Sequence, residues 1–374
     1  MRNRRDFVKT AVKTVVGASA GVFALNHGLG HGLVDGFIEA QAQAQAPQAA
    51  GPVTRREVRV AGKRVKVVDV HAHATIPEVA DVVKGTPMAR NAGGGGRALG
   101  ADRIAEMDKR GIDVQALSIN GYGWYAADRD LATKIVQVQD DGLAAWCKQH
   151  SDRFVAFTSP ALQFPDLAAQ QVEHAVKQLG MRGASIGGHV EGEPLSNPKY
   201  DPFWAKVQEL GVIVFMHPGG ATDVIKPMGL QGNGDLGNII GNPLETTVFF
   251  SHLIFDGTLD KFPGLKICGA HAGGYLPSYL GRTEVACDVR ANAKCVNKKK
   301  PSEYFHQQLM ADSMIFSPEG LRHLVAELGP SQVVYGTDIP LVWPDTIDNI
   351  LNAQIPDAQK EAVLGGNLIK LLHL

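Results

Sequence analysis

Cysteine is scarce in this chain: there are four among 374 residues, none in a CxxC pair. That removes a structural zinc ribbon, a thioredoxin-type redox centre and a disulfide-dense scaffold from consideration. Net charge is nearly absent as well. The 37 lysines and arginines balance 38 aspartates and glutamates, a formal charge of −1, so no extended field draws in nucleic acid or anionic lipid. A small-molecule substrate suits such a surface better. Long hydrophobic runs are missing from the body of the chain, and with them any transmembrane helix, which needs about 20 apolar residues. Histidine is what the chain has instead: 13 against the four cysteines, a balance that points to imidazole chemistry rather than a thiolate cage. Cys147 and Cys268 read as small core residues, whereas Cys287 and Cys295 are near enough in sequence to close a short loop where the compartment is oxidising.

Residues 1–50 stand apart. Arg4-Arg5-Asp6-Phe7-Val8-Lys9 precedes a mildly apolar run from Val15 to Leu25, and an Ala/Gln-rich stretch from Gln41 to Ala50 follows. This order resembles a twin-arginine export signal, with Ala-x-Ala cleavage patterns between Ala40 and Ala46. The apolar run is too short and too rich in Gly, Ala and Ser for a stable membrane span. The expectation is an exported protein, periplasmic or extracellular, whose folded part occupies residues 51–374.

In that part, short β-branched runs alternate with longer segments of helical period. The candidate strands are 66–70, 114–119, 154–158, 183–187, 212–216, 265–270, 314–317 and 333–336. Helical stretches such as 101–110, 128–150, 166–179, 202–210, 244–256, 318–328 and 357–364 lie between them. Repeated βα units close naturally into an α/β fold of the TIM-type (β/α)8 barrel kind, a single domain. The connection 217–243 reads as an active-site loop or lid. The tract Gly93-Gly94-Gly95-Gly96 is a flexible loop that matches no phosphate-binding fingerprint.

Chemistry gathers where strands end, the face on which such barrels place their sites. Val67-Val68-Asp69-Val70 runs into His71-Ala72-His73, and residues two apart on a strand share a side, so both imidazoles can chelate one cation. Three further β-branched runs stop at ligand-type side chains: 212–216 at His217, 265–270 at His271 and 333–337 at Asp338.

The motifs Val68-Asp69-Val70-His71-Ala72-His73, Met216-His217-Pro218, His271-Ala272-Gly273-Gly274 and Tyr335-Gly336-Thr337-Asp338-Ile339-Pro340 resemble the signature sites of the amidohydrolase superfamily. The chain is most similar to the aminocarboxymuconate-semialdehyde decarboxylase, or amidohydrolase-related, branch. The segment from Arg103 to Gln115, Pro301-Ser302-Glu303-Tyr304 and Gly365-Gly366-Asn367 share the likeness, which runs from about Val67 to the C-terminus. The resemblance implies that His71, His73, His217 and Asp338 ligate one divalent metal and that His271 beside it is the catalytic acid/base, with Asp338 part of the catalytic machinery. It also implies that Arg282 reaches the site of a neighbouring subunit in a homodimer. Arg90 or Arg97 would supply a second clamp for a substrate carboxylate, and His189 would line the pocket. The fourth strand offers no lysine to carbamylate, so the site is expected to be mononuclear; zinc suits its donors, and manganese or iron is accommodated.

The resemblance points to a non-oxidative carboxy-lyase acting on a small carboxylated, aromatic-derived molecule. A hydrolase of lactones, esters or amides on the same site is the first alternative, and an exported metal- or ligand-binding protein without catalysis is the second. One departure bears on the substrate: where the branch has a Trp-containing turn after the third histidine, this chain reads Pro218-Gly219-Gly220-Ala221-Thr222. Trp124, Tyr122 and Trp343 are the candidate replacement stacking surfaces. Asp69 is expected to orient a loop or to hydrogen-bond a ligand imidazole.

Overall fold

Eight strands form one parallel sheet: β1 (Val68–His73), β2 (Val114–Ser118), β3 (Phe154–Thr158), β4 (Gly183–Ile186), β5 (Ile213–Met216), β6 (Lys266–Gly269), β7 (Leu309–Asp312) and β8 (Val333–Val334). Neighbours in sequence are neighbours in the sheet. Main-chain bonds join its two ends, from Val70 N–H to Tyr335 O (3.0 Å), Asp338 N–H to His71 O (2.8 Å) and His73 N–H to Ile339 O (2.7 Å), so the sheet closes into a barrel. The structure, a computed structural model, describes residues 54–90, 96–221 and 227–374. The export-type leader, Gly93 to Gly95, Thr222 and the Arg90 side chain lie outside the described residues.

The helices follow from local signals. Helix α1 (Ala101–Arg110) stops at Gly111, whose φ of 86° closes the last turn as only glycine does cheaply. Helix α2 (Arg129–Gln149) is capped by Asp128, which accepts from Leu131 N–H. Prolines pre-set the first turns of α3 (Pro165–Lys177), α4 (Asp201–Leu210), α5 (Asn242–Phe255), α6 (Leu276–Val289) and α7 (Pro318–Leu328). None of the described helices is long and apolar enough to cross a membrane. In the 217–243 connection, the short helical turns Pro227–Leu230 and Gly237–Gly241 lead directly into α5. Cys287, in the last turn of α6, forms a disulfide with Cys295 just past that helix.

Side-chain alternation divides the sheet into two faces. Val114, Ala116, Phe157, Ile213, Phe215, Cys268, Met310 and Val334 join Val68 and Val70 in an inner cluster that Leu368 and Leu372 extend. Alternate residues such as Leu117, Ile186, Val214, Ile267 and Val333 face the helices. With Val68 and Val70 inside, strict alternation would turn His71 and His73 outward. A bulge between Asp69 and Ala72 shifts the parity, and both histidines enter the lumen.

The seventh strand corrects the sequence reading. It is Leu309–Asp312 rather than 314–317. Leu309-Met310-Ala311-Asp312 is buried throughout, whereas Ser317 serves as N-cap of α7, its hydroxyl accepting from Gly320 N–H. The short apolar stretch before Pro318 mimicked a strand, and the shift conceals a carboxylate, Asp312, at the true strand end.

Candidate metal centre

Three strands deliver the four central side chains. His71 and His73 come from bulged β1, His217 follows β5, and Asp338 follows β8 with φ of 62°. A non-glycine residue in that left-handed region costs on the order of 1–3 kcal/mol, strain of the kind that collects at functional sites. One donor atom from each of the four residues lies within 4.8 Å of the others, and all four residues are buried.

The internal geometry calls for a cation. His71 Nε2 and His73 Nε2 face each other at 3.2 Å, with Asp338 Oδ1 at 3.0 and 2.6 Å from them. His217 is buried, and neither ring nitrogen has a hydrogen-bond partner within the described residues, an arrangement costly to leave unsatisfied. Burial, reinforced by the neighbouring histidines, holds His217 well below the usual imidazole range, and burial also lowers His73; both shifts favour the neutral form that a metal ligand requires. Burial acts the same way on His71, but the Asp338 and Asp312 carboxylates outweigh it and push it up to about 10. Burial would raise Asp338, yet the surrounding histidines, His71 foremost, hold it well below the usual carboxylate range. The two carboxylates thus draw a proton onto His71, and a divalent ion taking that proton's place would leave three neutral imidazoles and one carboxylate, a set that fits such an ion.

The surrounding hydrogen bonds fix these ligands. Asp312 Oδ2 lies 2.7 Å from His71 Nδ1 and so turns that ring's Nε2 lone pair to the centre, while the Asn120 NH2 group lies 2.7 Å from His73 Nδ1 and fixes the position of the second ring. Asn120 is held in turn by Tyr122 and Ser185. Asp69 takes the main chain rather than an imidazole: it accepts from His71 N–H (2.9 Å), Thr337 N–H (3.1 Å), the Thr337 hydroxyl (2.6 Å) and Gln115 (2.8 Å). Burial raises its carboxyl to about 6. Arg103, buried on α1 and lowered to about 10 by that burial, donates to His73 O (2.6 Å) and Gln115 (3.3 Å).

His271 stands beside the ligands, its Nε2 3.6 Å from Asp338 Oδ2, and its side chain is the most accessible of the five, 14% exposed. The structure places the expected substrate contacts less centrally. His189 packs toward Glu245, 4.0 Å away, and its Nδ1 accepts from Gly192 N–H. Arg97 pairs with Asp102 at the surface (3.0 Å), and Arg282 is exposed on α6. Trp124 is buried against Tyr122 and Tyr125 in the turn after β2, while Trp343 stacks on Phe316. Glu245, which the sequence reading passed over, accepts from Gly188 N–H (3.2 Å) and Gly219 N–H (3.1 Å), joining the turns after β4 and β5. The signal for it was the Gly-Gly pair: a Cβ at Gly188 would lie 2.7 Å from Glu245 Oε1.

Fold and site together define a barrel enzyme with three histidines and an aspartate placed where they could hold a single divalent cation. The chain belongs to the amidohydrolase family, whose profile matches residues 68–374. It is 30% identical over 280 residues to 2-amino-3-carboxymuconate-6-semialdehyde decarboxylase of Dictyostelium discoideum, covering 73% of this chain and 76% of that one. It is also 30% identical over 282 residues to gamma-resorcylate decarboxylase of Rhizobium radiobacter, covering 73% and 86%. Among solved structures it superposes on dihydroxybenzoic acid decarboxylase of Polaromonas sp. JS666, which holds manganese and the inhibitor 2-nitroresorcinol, with a TM-score of 0.71 and 26% identity over 83% of this chain and 97% of that one. The fold of 5-carboxyvanillate decarboxylase from Sphingomonas paucimobilis matches with a TM-score of 0.75 at 24% identity, covering 83% and 99%.

Gly336 provides a test of the packing. A Cβ there would lie 2.9 Å from Asp312 Cβ and 3.0 Å from His71 Cβ. Gly336→Ala is therefore expected to weaken metal binding at least about ten-fold, the scale of a disturbed outer-shell partner, read by competition with a chelator. Wild-type affinity in this variant would show that the lumen has slack the structure does not display.

Proposed function

We propose that this protein is a metal-dependent, non-oxidative decarboxylase of a small carboxylated, aromatic-derived molecule. The observation that carries the reading is the mononuclear centre of three histidines and one aspartate, with no lysine on β4 to bridge a second ion, in a chain whose relatives named above are decarboxylases. A divalent ion held there supplies Lewis acidity toward the substrate's carboxylate and any adjacent hydroxyl oxygen. The remaining work falls to the chain. His271 gives a proton to the carbon that bears the carboxylate, the carbon–carboxylate bond breaks, carbon dioxide leaves, and conjugation is restored. The exposed edge of its side chain suits reprotonation from solvent, and Asp338 Oδ2 lies 3.6 Å from its Nε2. His189, Arg97, Arg282 and Trp124 are our candidates for substrate contact. Zinc is our first choice of metal, since the donor set suits it; the manganese in the Polaromonas structure makes that ion the principal rival.

His271→Ala is expected to keep its metal while carbon dioxide release falls by about two orders of magnitude or more, measured on aromatic acids with metal analysis alongside. Ring-opened lactone or cleaved ester without carbon dioxide would replace the decarboxylase reading with a hydrolase. Loss of the metal would make His271 a ligand.

We further propose a homodimer. Tyr279, Val285 and Val289, 57, 55 and 71% exposed, form one stripe on α6 with Arg282 among them, and the exposed Ile239 and Ile240 accept from the Tyr275 hydroxyl nearby. An apolar stripe of this kind is a common mark of association. Val285→Asp is expected to convert dimers to monomers in sedimentation; a wild-type protein that is itself monomeric at micromolar concentration would rule the dimer out.

We read residues 1–50 as an export signal, and the Cys287–Cys295 disulfide supports an oxidising destination. Replacing Arg4 and Arg5 with lysine is expected to retain the protein in the cytoplasm on cell fractionation, and unchanged export would remove the twin-arginine reading.

A further inference from the structure

Asp312 makes more contacts than a partner for one imidazole requires. It is fully buried at the end of β7. Its Oδ2 takes His71 Nδ1 (2.7 Å) and His271 N–H (3.1 Å), and its Oδ1 takes Ala272 N–H (2.8 Å) and Met314 N–H (3.1 Å). The three main-chain partners are donors, and His71 donates from Nδ1 when its Nε2 lone pair faces the centre, so the group serves as an ionised acceptor.

The main chain at His271 explains the second half of this arrangement. His271 (φ 55°, ψ 54°) and Ala272 (φ 58°, ψ 26°) are consecutive left-handed residues, each costing roughly 1–2 kcal/mol relative to ordinary backbone. Successive amides in such a turn form a concavity for an anion, and here the Asp312 carboxylate fills it. Without that anion nothing else in the described residues takes these two N–H groups, and the turn would relax toward right-handed backbone, swinging the His271 ring away from Asp338. His73 differs, because its Nδ1 meets the neutral Asn120 amide.

We propose that Asp312 is a positioning residue with two coupled tasks: it turns the His71 lone pair toward the cation and holds the left-handed turn that projects His271 into the site. The second task bears on catalysis through the decarboxylase reading above; the first rests on the metal centre alone. Asparagine is isosteric yet cannot perform both. With its oxygen toward His71, its NH2 group opposes the Ala272 and Met314 amides; flipped, it opposes His71 Nδ1–H.

The experiment needs no turnover, so its outcome is separate from that of the decarboxylase assignment. Manganese(II) titration of chelator-stripped Asp312→Asn is expected to give affinity about 10- to 100-fold below wild type. In the zinc-saturated protein, the His271 imidazole NMR signal, identified by its loss in His271→Ala, is expected to shift in Asp312→Asn. Adding Ala272→Gly, which accepts positive φ without cost, should return that signal toward its wild-type position while leaving manganese affinity low. Wild-type affinity in Asp312→Asn overturns the first task. An unmoved His271 signal, or one that Ala272→Gly fails to return, overturns the second. Should Asp312→Asn not fold, Ala272→Gly alone is expected to keep wild-type affinity and signal position, since the turn is already held; a displaced signal there overturns the second task as well.

Discussion

Three imidazoles and a carboxylate brought together in a buried pocket at the end of the barrel suit a metal cation among them, and most of the described structure serves that arrangement. The β1 bulge supplies the parity that turns His71 and His73 inward. Phe215 lies under His71 with ring centroids 5.0 Å apart, giving the low-polarity floor that strengthens every electrostatic contact above it. Gly336 leaves the gap into which His71 and Asp312 pack.

Around this centre the protein arranges polar groups in layers whose bonds are matched. The ligand imidazoles lean on Asp312 and Asn120, their strand leans on Asp69, and Asp69 leans on Gln115 and Thr337. Burying so many ionised groups is unfavourable unless each finds partners. Here they do, and the uneven backing of the two strand histidines, a carboxylate behind one and an amide behind the other, makes them unequal ligands.

Much of this was legible in the sequence. The βα alternation and the strand-end histidines lie in periodicities of two and of about 3.6, which a linear reading detects, and His71, His73, His217 and Asp338 meet in space as their positions at strand ends required. Asp312 escaped because its strand is only four residues long and is followed by a second apolar stretch before Pro318 that imitates one. Of the two tasks open to Asp69, the structure shows the orientation of main chain rather than a bond to an imidazole, a choice the sequence left open because neither a bulge nor the hydrogen bonds that a bulge redirects leave a residue pattern. Glu245 lies in the first turn of α5, and beyond the Gly187-Gly188 pair it is the three-dimensional proximity of the Gly188 and Gly219 amides that reveals its use.

The barrel closes between β1 and β8 through main-chain bonds at Val70, His73 and Asp338, and β8 itself is only two residues long. The metal ligands of those two strands straddle this seam. Any ion that binds them both rivets the thinnest join of the sheet, so by mass action its binding free energy becomes conformational stability of the cylinder. Catalytic readiness and mechanical integrity would then depend on the same ion, and its removal would cost both at one place.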